Sequence, residues 1–121
     1  MKNIFNIKNK VILLFGSSGN LGTEFSKLLT NHGCYVIGCD IREPSNKIKN
    51  KKFLFYKINA YDQKSLNNLK KLVLKKYKKI DGLINSITYK DENFYLPFEK
   101  NKLSSWERGL KHDLTVPFLV I

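Results

Sequence analysis

The segment Val11 to Gly22, VILLFGSSGNLG, constrains this chain more than any other. Its five-residue apolar run is too short for a helix and stops at Gly16, where three glycines spaced three apart lead into a helical pattern. The spacing predicts a strand, a tight turn and a helix start. Gly16 lets the backbone reverse, Gly19 leaves no Cβ between the main chain and a bound phosphate, and Gly22 lets the helix pack close on a sheet. The N–H groups of the first helical turn, around Asn20 and Leu21, then face an anion together with the positive end of the helix dipole.

The residues that follow fall in register with that reading. Leu21, Phe25, Leu28 and Leu29 are read as the apolar side of the helix, Gly33 as its stop, and Tyr35 to Cys39 as a second strand ending at an acid. Asp40 lies eighteen residues past Gly22, near the ~20 at which a dinucleotide-binding unit places the carboxylate for the adenosine ribose hydroxyls. A carboxylate there repels a 2′-phosphate and favours NAD over NADP, while Arg42, two residues on, argues the other way. No Gly-Lys-Ser/Thr follows the glycines, which excludes a P-loop.

At 121 residues the chain is one domain at most, 1–121. The net charge of +12 comes from twenty Lys against two Arg, with thirteen Asn beside them. Base readout and bidentate phosphate clamps favour Arg, and no basic patch interleaves with aromatics, so the lysines are read as solubilising surface and no nucleic-acid partner is expected. Cys34 and Cys39 are expected on opposite faces of one strand as reduced thiols, with no zinc site. The start MKNIFNIKNKVILLFG imitates a signal peptide, with a basic beginning and an apolar run, but that run is too short and no small-residue cleavage site follows. No stretch reaches membrane-spanning length. A cytoplasmic, membrane-free protein is the expectation.

Beyond Asp40, residues 41–52 read as a surface loop and Phe53 to Ile58 as a third strand. Asp62 is placed to cap a helix with Leu66, Leu69, Leu72, Val73 and Tyr77 on its apolar side. Ile80 to Asn85 reads as a fourth strand, and residues 86–102 as a long polar and aromatic loop. The last helix is expected to open with a capping box of Ser104 and Glu107 and to run through Trp106, Leu110, Leu114 and Phe118. The alternation predicts an open, doubly wound α/β parallel sheet of order 3-2-1-4. His32 and His112 are read as surface residues, His32 near the negative end of its helix.

Three partial motifs in order, FGSSGNLG, Asp81-Gly-Leu-Ile-Asn85-Ser-Ile-Thr88, and Trp106 followed by Asp113, Leu114 and Phe118, resemble the short-chain dehydrogenase/reductase family over nearly the whole chain. That family has a Rossmann fold, and its corresponding patterns are TGxxxGxG or TGxxGxxG, DxLVNNAG, and W-x6-NL-x3-F. The resemblance implies an NAD-dependent oxidoreductase acting on a small-molecule substrate. It makes Gly16, Ser18, Gly19, Asn20, Leu21, Gly22, Asp40, Asn59, Ala60 and Asn85 the cofactor-binding residues. The phrase LPFEKNKLSSWERGLKHDLTVPFLV is also similar to members active in bacterial surface-sugar or flagellin-glycan synthesis.

Departures from the pattern carry their own expectations. Phe15 replaces a Thr whose hydroxyl braces the turn, which implies a looser loop. Asn59 stands where an Asp contacts the adenine amino group, and its amide can both accept and donate there. Ser86, Ile87 and Thr88 replace Asn-Ala-Gly. Asp113 takes the place of the family's catalytic Asn, whose backbone carbonyl holds a water of the proton relay, and Pro117 removes the N–H that would occupy that carbonyl; the competing reading makes Pro117 a helix irregularity and Asp113 a solvated acid beside His112. None of the six tyrosines has Lys four residues on, so the family's catalytic pair is missing. The chain is therefore read as the N-terminal, cofactor-binding half of a longer enzyme, with its fourth-strand edge and last helix face uncovered and a homo-oligomer expected when complete. The alternative is a non-catalytic dinucleotide-binding regulatory protein of the same fold; a basic nucleic-acid adaptor has charge alone behind it.

Overall fold

A computed structural model of the chain describes residues 6–121. The first five residues, with Lys2 and the opening of the signal-like start, lie outside the described residues. Four parallel strands form one sheet: β1 (Val11–Phe15), β2 (Tyr35–Asp40), β3 (Phe53–Lys57) and β4 (Gly82–Asn85), in the order β3-β2-β1-β4. The expected order 3-2-1-4 is the observed one. Helices α1 (Asn20–Asn31), α2 (Gln63–Tyr77) and α3 (Leu103–Val120) connect and flank the strands. β1 pairs from Val11↔Tyr35 to Phe15↔Cys39 on one side and from Ile12↔Gly82 to Phe15↔Asn85 on the other. All the strands therefore end near one edge, where the connecting loops gather.

Alternation along β1 and β2 divides the interior in two. Val11, Leu13, Phe15, Ile37 and Cys39 meet Leu69 and Val73 of α2 and Val116 of α3 on one face. Leu14, Val36 and Cys34 meet Leu29 of α1 on the other. Both cysteines are free and buried, on opposite faces as expected. Burial raises both thiols, Cys39 to about 12, so each stays protonated and unreactive. Asp81 ties the start of β1 to the sheet, accepting from the Val11 N–H at 2.8 Å and from the Lys79 ammonium at 2.9 Å.

Several boundaries and faces differ from the sequence reading. Of the expected apolar side of α1 only Leu29 packs inward; Leu21 is 67% exposed, Phe25 37% and Leu28 55%, whereas Gly22, Ser26 and Thr30 are buried. Small residues let the helix sit close to the sheet, and their hydroxyls are satisfied within it, Ser26 Oγ donating to the Gly22 carbonyl at 2.8 Å and Thr30 Oγ1 to that of Ser26 at 2.7 Å. Asp62 caps α2 as expected, accepting from the backbone of Lys64 and Ser65, but Leu72 is exposed. Ser104 does not cap α3. The helix begins at Leu103 with Lys102 at the cap and no side-chain cap, because the neighbouring Ser105 is drawn into contacts with the preceding loop. Trp106, Leu110, Leu114 and Phe118 are exposed on α3, and among the described residues β4 pairs with β1 alone.

Candidate functional site

The turn after β1 is tightly braced, contrary to the looser loop expected from Phe15. Gly16 (φ 79°) donates to the Cys39 carbonyl at 2.8 Å, and the Ser86 hydroxyl reaches the Phe15 and Gly16 carbonyls at 3.2 Å. Ser86 thus does the work of the missing threonine hydroxyl from across the sheet. A Cβ on Gly16 would lie 2.8 Å from the Ser86 carbonyl carbon, and one on Gly22 only 2.0 Å from the Gly16 oxygen. These two glycines are demanded by the chain's own packing. Gly19 is not: its φ of −77° is open to any residue, and a Cβ there would meet only the Gly16 oxygen, at 3.4 Å.

Gly19 is also the N-cap of α1 and offers no side-chain cap. The Thr23 N–H closes the first turn onto the Gly19 carbonyl at 2.9 Å, which leaves the N–H groups of Asn20, Leu21 and Gly22 as the open donors of a helix start. Asp40 is buried beside them. Its Oδ2 accepts from the Ser18 N–H at 3.0 Å and its Oδ1 from the Arg42 N–H at 3.1 Å, while the Ser18 hydroxyl donates to the Arg42 carbonyl at 2.8 Å. One carboxylate therefore locks the glycine turn to the loop after β2 and retains lone pairs for a further donor.

These elements wall a cleft of about 1060 Å³ at the ends of the strands, the place where open α/β sheets bind ligands. Of the cofactor-binding residues read from the sequence, all except Asn85 line it. Asn85 instead shapes the turn after β4, its Oδ1 accepting from the Ile87 N–H at 3.2 Å. Asn59 lines the cleft with its Oδ1 turned to the Tyr61 N–H at 3.0 Å, and Ala60 beside it is buried. Asp113 accepts from the Tyr89 N–H at 3.0 Å and so ties α3 to the loop after β4. α3 continues through Pro117 to Val120.

The sequence reading missed one group of cleft residues. His112, taken as a surface residue, is half-buried in the cleft lining between Tyr61 and Tyr89, at ring separations of 5.4 and 5.6 Å. Its neighbour in the sequence reading, His32, does cap a helix end, with Nδ1 2.8 Å from the Leu28 carbonyl oxygen. Aromatic residues scattered at 61, 89 and 112 carry no shared sequence period, and only the fold brings them together. Among the described residues no group of His, Cys, Asp and Glu could hold a metal ion, and no helix is long and apolar enough to cross a membrane.

The far end of the loop is anchored by Asp91, which accepts from the Ser105 hydroxyl, from Arg108 at 2.9 Å and from the Asn93 N–H at 3.0 Å. Those bonds, led by that of Ser105, hold its carboxyl at about 2; the Lys79 ammonium and the Val11 N–H do the same for Asp81. Both folded values lie below the ordinary ~3.9, so the stabilisation is complete above that value and is lost as the pH falls toward 2. The share of the thermal midpoint that these two carboxylates set is expected to be level above pH 5 and to drop between pH 4 and 2, with a shallower drop in Asp91→Asn. A flat profile down to pH 2 would contradict these assignments.

A family model described as short chain dehydrogenase matches residues 10–121. A short chain dehydrogenase of Aspergillus calidoustus is 30% identical over 118 residues, covering 94% of this chain and 44% of that protein. Short-chain dehydrogenase reductase 4 of Arabidopsis thaliana is 28% identical over 85 residues, 66% of this chain and 28% of its own length. Among solved structures, a short chain dehydrogenase of Leptospira borgpetersenii with bound NAD+ superposes with a TM-score of 0.74 at 23% identity, over 93% of this chain and 43% of that one. The 3-ketoacyl-(acyl-carrier-protein) reductase of Brucella melitensis complexed with NADH gives 0.73 at 18% identity, over 94% and 48%. The chain thus spans less than half the length of each of these relatives.

Proposed function

The chain belongs to the short chain dehydrogenase family, and from that premise we propose that residues 10–121 hold the adenosine and pyrophosphate of NAD in an oxidoreductase acting on a small-molecule substrate. The observation that carries the proposal is Gly19: nothing in the chain's own packing requires a glycine there, yet any side chain would stand at the mouth of the open N–H groups of α1. A close-approaching phosphate supplies the reason. The Asn20, Leu21 and Gly22 N–H groups would hold the pyrophosphate, the Asp40 carboxylate the ribose hydroxyls, and the Asn59 and Ala60 segment the adenine. When bound, the nicotinamide supplies hydride exchange at its C4. The sequence has no Tyr with Lys four residues on, so the role proposed for these residues is binding and positioning. Asp113 is proposed to contribute its backbone carbonyl as a water acceptor, since Pro117 offers no N–H to it.

Asp40 sets the choice of cofactor in this account. Calorimetric titration is expected to give saturable NAD binding with NADP weaker, because a buried carboxylate faces the added phosphate. Asp40→Ala is expected to weaken NAD about tenfold, through the lost ribose contact and the Ser18 and Arg42 N–H groups left without an acceptor, and to narrow the gap between the two cofactors. Tighter binding of NADP than of NAD by the unaltered protein would overturn the assignment of Asp40.

A further inference from the structure

On the wall of the cleft formed by α3 and the loop after β4, a backbone N–H and an imidazole nitrogen converge on one oxygen. Asp113 Oδ1 accepts from the Tyr89 N–H at 3.0 Å and lies 3.3 Å from His112 Nδ1. The imidazole is only 21% exposed, packed edge-on to the Tyr61 ring and tilted against that of Tyr89. The charged and titratable groups around it are Tyr61 from the connection between β3 and α2, Tyr89 and Lys90 from the loop, and Asp113 and Arg108 from its own helix. Both cations are engaged elsewhere, Lys90 with the Tyr95 hydroxyl at 3.2 Å and Arg108 with Asp91. Among the described residues no Lys or Arg forms an ion pair with Asp113. Desolvation, and then the Asp113 carboxylate, push the Tyr61 hydroxyl up, so it stays neutral at any pH near 7.

We propose that His112 is a positioning residue whose protonated ring holds Asp113 on the Tyr89 N–H and so fixes the Ser86–Lys90 wall of the cleft, making the cleft's grip proton-dependent. The chemistry follows from the single shared acceptor. An imidazolium donates to a carboxylate with full charge, whereas a neutral ring donates weakly or, in its other tautomer, sets a lone pair against the oxygen. The charged ring is therefore the form that tightens the brace. Ser86, which ties the same segment to the glycine turn, carries the effect to the cofactor end of the cleft.

The test is a pH titration of ¹⁵N-labelled protein, following the Tyr89 amide and the His112 ring from pH 5 to 8.5. The Tyr89 amide is expected to move with the same midpoint as the His112 ring and to lose that inflection in His112→Gln. An amide that stays still while His112 titrates, or that titrates equally in His112→Gln, would overturn the proposal. Should His112→Gln fail to fold, Asp113→Asn keeps an acceptor oxygen without the charge; the inflection should vanish there too, and its persistence would equally overturn the brace. A second arm rests on the NAD reading above: NAD affinity should be about threefold weaker at pH 8 than at pH 6 in the unaltered protein and level in His112→Gln. Equal pH ratios in both proteins would count against the linkage. Absence of NAD binding at either pH would sink the cofactor reading and leave the amide titration to decide the brace.

Discussion

Replacing Gly22 with alanine is expected to unfold the protein or lower its thermal midpoint by more than about 10 °C. The added Cβ would sit 2.0 Å from the Gly16 oxygen and 2.7 Å from the Ser17 Cα. Those atoms are backbone, held by the Gly16 and Ser17 N–H bonds to the Cys39 carbonyl at 2.8 and 3.3 Å. A flexible side chain could swing away from such a contact; a hydrogen-bonded turn at the end of a central strand cannot. Overpacking of a core by a methyl group ordinarily costs about 1–3 kcal/mol, and a clash with fixed backbone belongs at or beyond the upper end. Circular dichroism melts of Gly22→Ala beside the unaltered protein check this. A midpoint within a few degrees would mean that the α1 and β1 approach is looser than described.

Gly19→Ala is expected to do the opposite, leaving the fold and removing the ligand. The backbone there is extended, and the new Cβ would make an ordinary contact, 3.4 Å from the Gly16 oxygen. The stability change should stay within about 1 kcal/mol, the usual margin for an alanine at a helix N-cap. A methyl group at that point nevertheless occupies the space through which a phosphate reaches the Asn20, Leu21 and Gly22 N–H groups. NAD affinity should fall at least tenfold, since the anion would lose hydrogen bonds that are charge-assisted. Paired melts and titrations separate the two effects. Retained affinity would show that the turn is a packing device alone.

What could be read from the sequence was set by backbone requirements. Gly16 with its positive φ, the acid that ends β2 and the Asp62 cap each answer a local backbone requirement that few residues satisfy. The burial of α1 was not legible from hydrophobicity, because the helix approaches the sheet through Gly22, Ser26 and Thr30 and leaves Leu21, Phe25 and Leu28 outside. Close approach was worth more than apolar content, and the hydroxyls bonded within the helix removed the penalty for burying them. The start of α3 escaped for a different reason. Ser104 and Glu107 have the spacing of a capping box, but Asp91, fourteen residues before Ser105, takes that serine and Arg108 as partners and sets where the helix begins.

Long-range tertiary contacts also hid part of the site. Ser86 braces the glycine turn from seventy residues away, replacing a hydroxyl that position 15 lacks, and no local pattern signals that exchange. The Asp40 carboxylate has two tasks where the sequence suggested one: it faces the cleft and it fastens Ser18 to Arg42. His112 and the two tyrosines meet only because α3 and the loops after β3 and β4 end on the same side of the sheet.

The roles assigned to Gly19, Asp40 and Asn59 all require that the cleft take a dinucleotide in one orientation. Titrating ¹⁵N-labelled protein with NAD and following every backbone amide tests this directly. Saturable shifts concentrated at Gly16–Gly22, Asp40–Arg42 and Asn59–Ala60, and absent in Gly19→Ala, are the predicted result. Shifts that fail to saturate, or that cluster away from the glycine turn, would contradict it.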